Sequence, residues 1–231
     1  MYYPYFDSYY ILLVLPAVLI SLIAQFKVKS TYGRMSKIAS ARHITGAQAA
    51  QNVLRYYGIT NVTVTGVSGK LTDHYDPRSN TIRLSEGVYG STSLAAIGIA
   101  CHEAGHAAQH AQAYKPIIIR NKLVPLANIG SSAGITIAVI GFFMGFEPLV
   151  LAGIILFSFV VAFQLATLPV EFNASRRALS VIEETHMLES GAELNGAKKV
   201  LTAAAITYIA AVLVSIANLL RLVLRFSNRR R

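Results

Sequence analysis

Four long segments without a charged side chain constrain this chain more than any other feature. No Asp, Glu, Lys or Arg occurs in residues 8–26, 123–146, 148–170 or 200–220, which are 19, 24, 23 and 21 residues long. A helix needs about 20 apolar residues to cross the hydrocarbon core of a bilayer. Burying four such helices in a soluble core would need an unusually large core for 231 residues. The sequence therefore predicts about four transmembrane helices.

The positions of Lys and Arg predict which segments face the cytoplasm. Twelve basic residues lie in residues 27–122 and four in residues 171–199, whereas none precedes the first uncharged window and none lies at Glu147. Cytoplasmic segments of membrane proteins carry an excess of Lys and Arg, so both basic segments are expected in the cytoplasm. The first window lacks a basic segment before it and a cleavage signal after it, which predicts a retained anchor rather than a signal peptide.

The window at residues 200–220 conflicts with this distribution. Five arginines follow it: Arg221, Arg225, Arg229, Arg230 and Arg231. A full span would place them outside the cell, against the usual preference for basic residues inside. Either the tail crosses the membrane or this window is not a full span, and the sequence leaves both readings open.

Composition and net charge indicate which binding partners to expect. The formal net charge is +10 at pH 7, but the basic residues flank apolar windows, where anionic lipid headgroups account for them. We therefore expect the lipid bilayer, and no nucleic acid, as a partner. Cys101 is the only cysteine, which excludes an intrachain disulfide, and we expect it to pack inside a helix.

The string CHEAGHAAQH, residues 101–110, carries the clearest chemical signal. His102 and His106 are four residues apart, so on a helix they lie within about 40° of one face and can hold one metal ion. Two imidazoles and a third side chain are the usual protein ligands of a catalytic zinc, whose fourth position stays open for water. Glu103 lies beside that face and can take a proton as water attacks a carbonyl. Ser91 to Ser93 and the apolar residues 94–101 predict a capped, buried helix for this motif.

Other residues in this part of the chain are weaker candidates for a role in the metal site. His110 repeats the four-residue step after His106 but drifts by about a further 40°, so orienting a ligand and facing solvent both stay open. His74 could meet a developing oxyanion or support a ligand, or be an ordinary surface histidine. Gly105 inside a helix is unfavourable by about 1 kcal/mol relative to Ala, and its expected use is the close approach of another backbone.

The rest of residues 27–122 predicts a small α+β part. Residues 47–57 are expected to form a helix opened by a capping box of Thr45 and Gln48. Residues 61–67 alternate as a strand, and residues 71–85 indicate a hairpin. A strand edge just before the motif helix could align a peptide by backbone hydrogen bonding.

Glu171 is the candidate for a third ligand. The very short turn at residues 145–148 predicts that the second and third windows form an antiparallel helix pair. This pair returns the chain to the side where His106 lies, and Glu171 follows directly, at the start of a predicted cytoplasmic helix in residues 171–199. A capping or interface carboxylate is the alternative role. Ser175 lies one turn later on the same face.

These residues resemble the YugP-like membrane zinc metallopeptidases, a family also called neutral zinc metallopeptidases. The resemblance covers nearly the whole chain and implies a prokaryotic membrane protein. It is carried by five stretches, AQFKVKS (24–30), GKLTDHYDPRSNTIRLSE (69–86), CHEAGHAAQHAQ (101–112), TLPVEFNASRRAL (167–179) and GAKKVLTAAAITY (196–208).

This family is in turn similar to HtpX and the CAAX-type prenyl-protein proteases, in which an HExxH helix and a later Glu form a gluzincin site. The resemblance implies that His102, His106 and Glu171 ligate one zinc ion and that Glu103 is the general base. Those relatives usually have an Asp four residues after the ligand Glu, where it supports a metal-bound His. This chain has Ser175 there, and a hydroxyl is a weaker acceptor.

The sequence thus predicts an α-helical integral membrane protein with about four transmembrane helices and a small cytoplasmic α+β, gluzincin-like metalloprotease part. We expect a zinc-dependent endopeptidase in a prokaryotic plasma membrane, with one Zn²⁺ per chain and its active site on the cytoplasmic side. Its expected substrates are membrane proteins or peptides. Two alternatives stay open: a catalytically silent zinc-binding scaffold, and a zinc hydrolase of a lipid-linked small molecule.

Overall fold

A computed structural model describes residues 7–227 of the chain. Arg229, Arg230 and Arg231 of the predicted basic tail lie outside the described residues. The elements are, in chain order, α1 Tyr10–Met35, α2 Gly46–Tyr56, β1 Thr63–Val67, β2 His74–Asp76, β3 Thr81–Ser85, α3 Glu86–Tyr89, α4 Leu94–Ala111, α5 Lys115–Met144, α6 Glu147–Glu184 and α7 Ala192–Ser227.

Within residues 7–227, four helices, α1, α5, α6 and α7, are long and apolar enough to cross a membrane. In their most apolar windows only 17%, 22%, 28% and 39% of the residues are buried, and large side chains such as Leu12, Phe143 and Ile155 are exposed. Soluble proteins rarely expose so much contiguous apolar surface, whereas a bilayer requires it. The prediction of four long apolar helices is confirmed, and each uncharged window lies largely within one of them.

The chain divides into two compact units. Of the described residues, 7–25, 118–168 and 207–227 form the helical unit, and 26–117 and 169–206 form the mixed unit. All three strands and the helices α2, α3 and α4 belong to the mixed unit.

In the helical unit, α5 and α6 form the predicted antiparallel pair. Gly145 ends α5 with φ 69°, a left-handed conformation that Gly adopts without steric penalty. The helices then approach closely, because a Cβ on Gly153 would lie 2.5 Å from the backbone nitrogen of Ala138. Small residues permit this approach where lipid provides no hydrophobic force between helices.

At one end of the helical unit, Asp7 binds two arginines of α7. Its Oδ2 lies 3.2 Å from Arg221 Nη2 and 3.0 Å from Arg225 Nη1. The Arg225 guanidinium also lies 4.5 Å from the ring centroid of Phe142, just before the α5–α6 turn. The start of α1, the α5–α6 turn and the last turns of α7 therefore share one end of this unit.

The mixed unit contains a three-stranded sheet in the order β1-β3-β2. Strand β1 is parallel to β3, and β2 is antiparallel to β3 and lies at the edge. The pair β2–β3 is the predicted hairpin in residues 71–85. Its turn is held by Asp76, which accepts hydrogen bonds from Ser79 Oγ and from the backbone N–H of Arg78; these bonds lower the pKa of Asp76 to about 2.

Local signals in the sequence define α2 and α4. Thr45 and Gln48 form the predicted capping box of α2, and Ser93 caps α4 by accepting a hydrogen bond from Ala96 N at 3.2 Å. Helix α4 contributes many residues to the core of the mixed unit, and Ile97 is fully buried there. Buried polar side chains of such a helix need hydrogen-bond partners, which limits where its histidines can point.

Helix α6 continues without a break from Glu147 to Glu184, through Pro169. The predicted separate cytoplasmic helix over residues 171–199 therefore differs from the structure: residues 171–184 extend α6, and residues 192–199 open α7. The end of the uncharged window at residue 170 shows only where charged side chains begin. The helix continues as long as its backbone hydrogen bonds continue, which is to Glu184.

Candidate metal centre

Helix α4 carries the two histidines of the motif on one face. The ring centroids of His102 and His106 are 4.7 Å apart and their planes are almost perpendicular, at 84°. Their side chains are only 12% and 13% exposed. The i, i+4 spacing thus brings two imidazoles together in a largely buried site.

Glu171 of α6 completes the group. Its Oε2 lies 3.3 Å from His102 Nε2 and 3.6 Å from His106 Nε2, and the three potential ligand atoms all lie within 4.8 Å of one another. Two donors at 2.0–2.1 Å from one tetrahedral zinc ion are about 3.4 Å apart, so this donor set fits zinc. Among residues 7–227 it is the one group of three such side chains close enough to hold a metal ion.

Gly105 explains how α6 comes close enough to present Glu171. A Cβ at this position would lie 2.8 Å from the carbonyl oxygen of Ala174, a separation that packed side chains do not tolerate. Ala174 and Val170 are fully buried in this contact region. The structure confirms the predicted backbone approach at Gly105, and the approaching backbone is that of the helix that carries Glu171.

The second nitrogen of each imidazole also has a partner. His102 Nδ1 lies 3.1 Å from Ser175 Oγ, and His106 Nδ1 lies 3.0 Å from Gln109 Oε1. An amide oxygen only accepts, so His106 Nδ1 carries a proton, and Nε2 is the nitrogen that faces Glu171 and would bind a metal. Such outer partners orient metal-binding histidines.

The electrostatics of the site favour a cation. Burial alone would lower the pKa of His106, but its hydrogen bond with Glu171 and the charges of Glu103 and Glu171 outweigh burial and raise that pKa. The carboxylates thus stabilise positive charge beside His106. A metal dication would meet the same attraction.

Glu103 lies beside the group of three without belonging to it. Its Oε2 accepts a hydrogen bond from the backbone N–H of Tyr75 at 3.0 Å. Tyr75 lies in the edge strand β2, so this bond joins the Glu103 carboxylate of α4 to that strand. This is a position from which a base can reach water or a peptide, and the catalytic role of Glu103 stays a prediction.

The other candidates lie outside the group. The His110 ring lies 5.5 Å from that of Tyr75. His74 is exposed, and its Nδ1 is 2.7 Å from Thr72 O. Cys101 is fully buried, and burial raises the pKa of its thiol, which opposes formation of the thiolate that a metal ligand requires.

Sequence reasoning missed Gln109. This side chain is completely buried, and its Nε2 donates to Val170 O at 2.7 Å and to Asn173 Oδ1 at 3.0 Å. The signal was its position three residues after His106, since side chains at i and i+3 are neighbours on a helix. Without knowledge of α6, a Gln at this position could equally have faced solvent.

Comparison with known proteins confirms the family resemblance. The sequence model of the family described as "Putative neutral zinc metallopeptidase" matches residues 10–227. The chain is 46% identical over 221 residues to the "Putative membrane protease YugP" of Bacillus subtilis (strain 168), an alignment covering 96% of this chain and 98% of that protein. No solved structure matches the chain significantly.

Proposed function

Because the chain belongs to the neutral zinc metallopeptidase family, we propose that it is a zinc-dependent endopeptidase of a prokaryotic plasma membrane. It hydrolyses peptide bonds of membrane-associated proteins at the cytoplasmic surface. The observation that carries this proposal is the convergence of His102, His106 and Glu171 within 4.8 Å, with Glu103 beside them.

The residues of the site have two chemical roles, metal binding and proton transfer. His102, His106 and Glu171 hold one zinc ion, which when bound polarises a carbonyl and makes water nucleophilic at neutral pH. Glu103 accepts a proton from the attacking water and donates it to the leaving amine. Glu103 is suited to this role because it sits on α4 next to His102 but does not share the ligand group.

The surroundings support a peptide bond in a membrane-associated protein as the substrate. The edge strand β2 runs beside Glu103 and can pair with an extended peptide through its backbone. The four long apolar helices tie the chain to the bilayer, which favours substrates held at the same surface. The basic residues in 27–122 support a cytoplasmic location of the site.

The decisive experiment compares wild type with Glu103→Gln. We expect the variant to retain zinc, because the three ligands are unchanged and Gln can still accept the Tyr75 N–H. Turnover of an unfolded or membrane-protein substrate, measured at equal zinc occupancy, should fall by about 10⁴, at the upper end of general-base effects. Glu183→Gln, at an exposed position of α6, is the matched control and should leave turnover unchanged.

Equal rates for wild type and Glu103→Gln would refute the mechanism. Zinc-loaded wild type that cleaves no protein across many substrates would favour the scaffold reading. Comparative proteomics of membranes containing wild type or Glu103→Gln would reveal natural substrates as proteins that accumulate with the variant. Accumulation of a lipid-linked small molecule instead would identify the alternative hydrolase.

A further inference from the structure

A chain of hydrogen-bonded polar side chains lies behind His106. It begins at Gln109, continues to Asn173 and ends at Arg177, all within the mixed unit. We propose that Arg177 is a positioning residue for the metal site: through Asn173 and Gln109 it fixes the orientation and the protonated nitrogen of His106. This inference rests on the metal ligands of the proposed function.

The hydrogen bonds form a continuous path. Arg177 Nε donates to Asn173 Oδ1 at 2.7 Å, and the same oxygen accepts from Gln109 Nε2 at 3.0 Å. Gln109 Nε2 also donates to Val170 O at 2.7 Å, so its two amide hydrogens have two acceptors. Its remaining polar atom, Oε1, is left to accept from His106 Nδ1 at 3.0 Å.

Arg177 and the carbonyl of Val170 together determine the direction of this path, because the guanidinium only donates and the carbonyl only accepts. Asn and Gln amides carry both donor and acceptor atoms and can turn over, whereas a guanidinium only donates. Facing Arg177, Asn173 must present its oxygen, and this oxygen requires the NH₂ group of Gln109. The oxygen of Gln109 then faces His106, so the proton is kept on Nδ1 and the Nε2 lone pair stays available to a metal.

Arg177 is itself firmly held. Its Nη1 donates to Gln112 Oε1 at 2.7 Å, at the C-terminal cap of α4. Its guanidinium lies 5.6 Å from the ring centroid of Tyr57 and 5.9 Å from that of Tyr114, within the range of cation–π attraction. These contacts fix the position of the Arg177 guanidinium, the donor at one end of the path. They also connect α6 to α4, the helix that carries both histidines.

The test measures zinc affinity of the full-length protein by competition with a chelator. Arg177→Met keeps most of the apolar stem but removes every donor, and we expect zinc affinity to fall about 10-fold, the lower end of the range for lost outer partners of metal ligands, because Arg177 acts on His106 through two other side chains. Arg176→Met is the matched control, because Arg176 is the exposed neighbour on α6 and takes no part in the path. It should bind zinc as wild type does.

A rescue variant separates positioning from general stability. In Asn173→Asp/Arg177→Met the carboxylate offers only acceptors to Gln109, so the path keeps its direction without Arg177. We expect the double variant to recover zinc affinity to within a few-fold of wild type. Asn173→Ala retains the contacts of Arg177 with Gln112 and both tyrosines, and should lose affinity as Arg177→Met does.

Wild-type zinc affinity in Arg177→Met or Asn173→Ala would overturn the inference. A double variant that binds zinc as weakly as Arg177→Met would also overturn it, because that result would mean that Arg177 acts by packing alone. If Arg177→Met does not fold, Asn173→Ala decides the question. If the wild type itself does not bind zinc, the proposed metal centre is refuted. If wild type and variants all bind zinc with equal affinity, only the role of Arg177 is refuted.

Discussion

His102 and His106 are held by different chemistry. The hydroxyl of Ser175 beside His102 Nδ1 can donate or accept, whereas the amide oxygen of Gln109 beside His106 Nδ1 can only accept. His106 therefore has a fixed tautomer, and His102 has a partner that can turn. Ser175 thus affects only His102, while His106 is held by Gln109, whose own hydrogen-bond partners lie on α6.

Glu171 provides the residue-level test of the metal centre. We expect Glu171→Ala to reduce zinc affinity by more than about 100-fold, beyond the effect of outer partners, because it removes the one carboxylate that faces both Nε2 atoms. Metal content and affinity of purified protein measure this. Glu183→Ala, which truncates an exposed carboxylate on the same helix, is the control. Equal zinc affinity in Glu171→Ala and wild type would remove Glu171 from the site.

Among the elements, the contact of α4 with α6 decides whether a metal site exists. Two ligands come from α4 and one from α6, so a small increase in the distance between these helices separates Glu171 from both imidazoles. Helix α4 contains two glycines that face neighbouring helices. Gly105 faces the carbonyl of Ala174, and Gly98 faces Ala197 of α7 at ordinary contact distances of 3.5–3.6 Å for an added Cβ.

Comparing these glycines tests the importance of close approach. Both Ala substitutions gain about 1 kcal/mol of helix propensity, but at Gly105 the new Cβ would lie 2.8 Å from a backbone oxygen. We expect Gly105→Ala to destabilise the protein by about 1–3 kcal/mol through overpacking and to weaken zinc binding. Gly98→Ala should be neutral or stabilising. Thermal unfolding and zinc titration measure both effects, and equal behaviour of the two variants would contradict this account of the helix contact.

For the whole molecule, sidedness in the membrane follows from charge. Basic residues concentrate in residues 27–122, which predicts a cytoplasmic metal site. The arginines after residue 220 run against this rule, but in the helical unit Asp7 binds Arg221 and Arg225 close to the α5–α6 turn. Because Asp7 neutralises part of the charge of Arg221 and Arg225, placing this end of α7 on the outer side of the membrane is less unfavourable.

Cysteine labelling tests this topology. In a Cys101→Ala background, we expect a reporter Ser79→Cys to react with an impermeant maleimide only after cells are permeabilised. Reporters Phe146→Cys and Ser227→Cys should react in intact cells, because both positions are exposed and belong to the end predicted to lie outside. Labelling of the Ser79 reporter in intact cells would reverse the orientation. Protection of the Ser227 reporter alone would show that α7 does not complete a span.

Much of the fold could be predicted because its signals are local. A bilayer admits only long apolar helices with satisfied backbone groups, so the uncharged windows located the four long helices. Capping at Thr45 and Ser93, and the left-handed Gly145, depend on a few adjacent residues. The end of α6 could not be read this way, because charged side chains and helix termini are set by different forces.

The sequence by itself determined that His102 and His106 share a helix face, because four-residue spacing on a helix permits nothing else. It also indicated Gly105 as a site of close approach, but not which backbone approaches. Only the tertiary structure decided that Ala174 meets Gly105, that Glu171 faces both imidazoles, and that Gln109, Asn173 and Arg177 form one path. The physical reason is distance along the chain: Glu171 is separated from His102 by 69 positions, and hydrogen bonds across such a separation depend on how two helices pack.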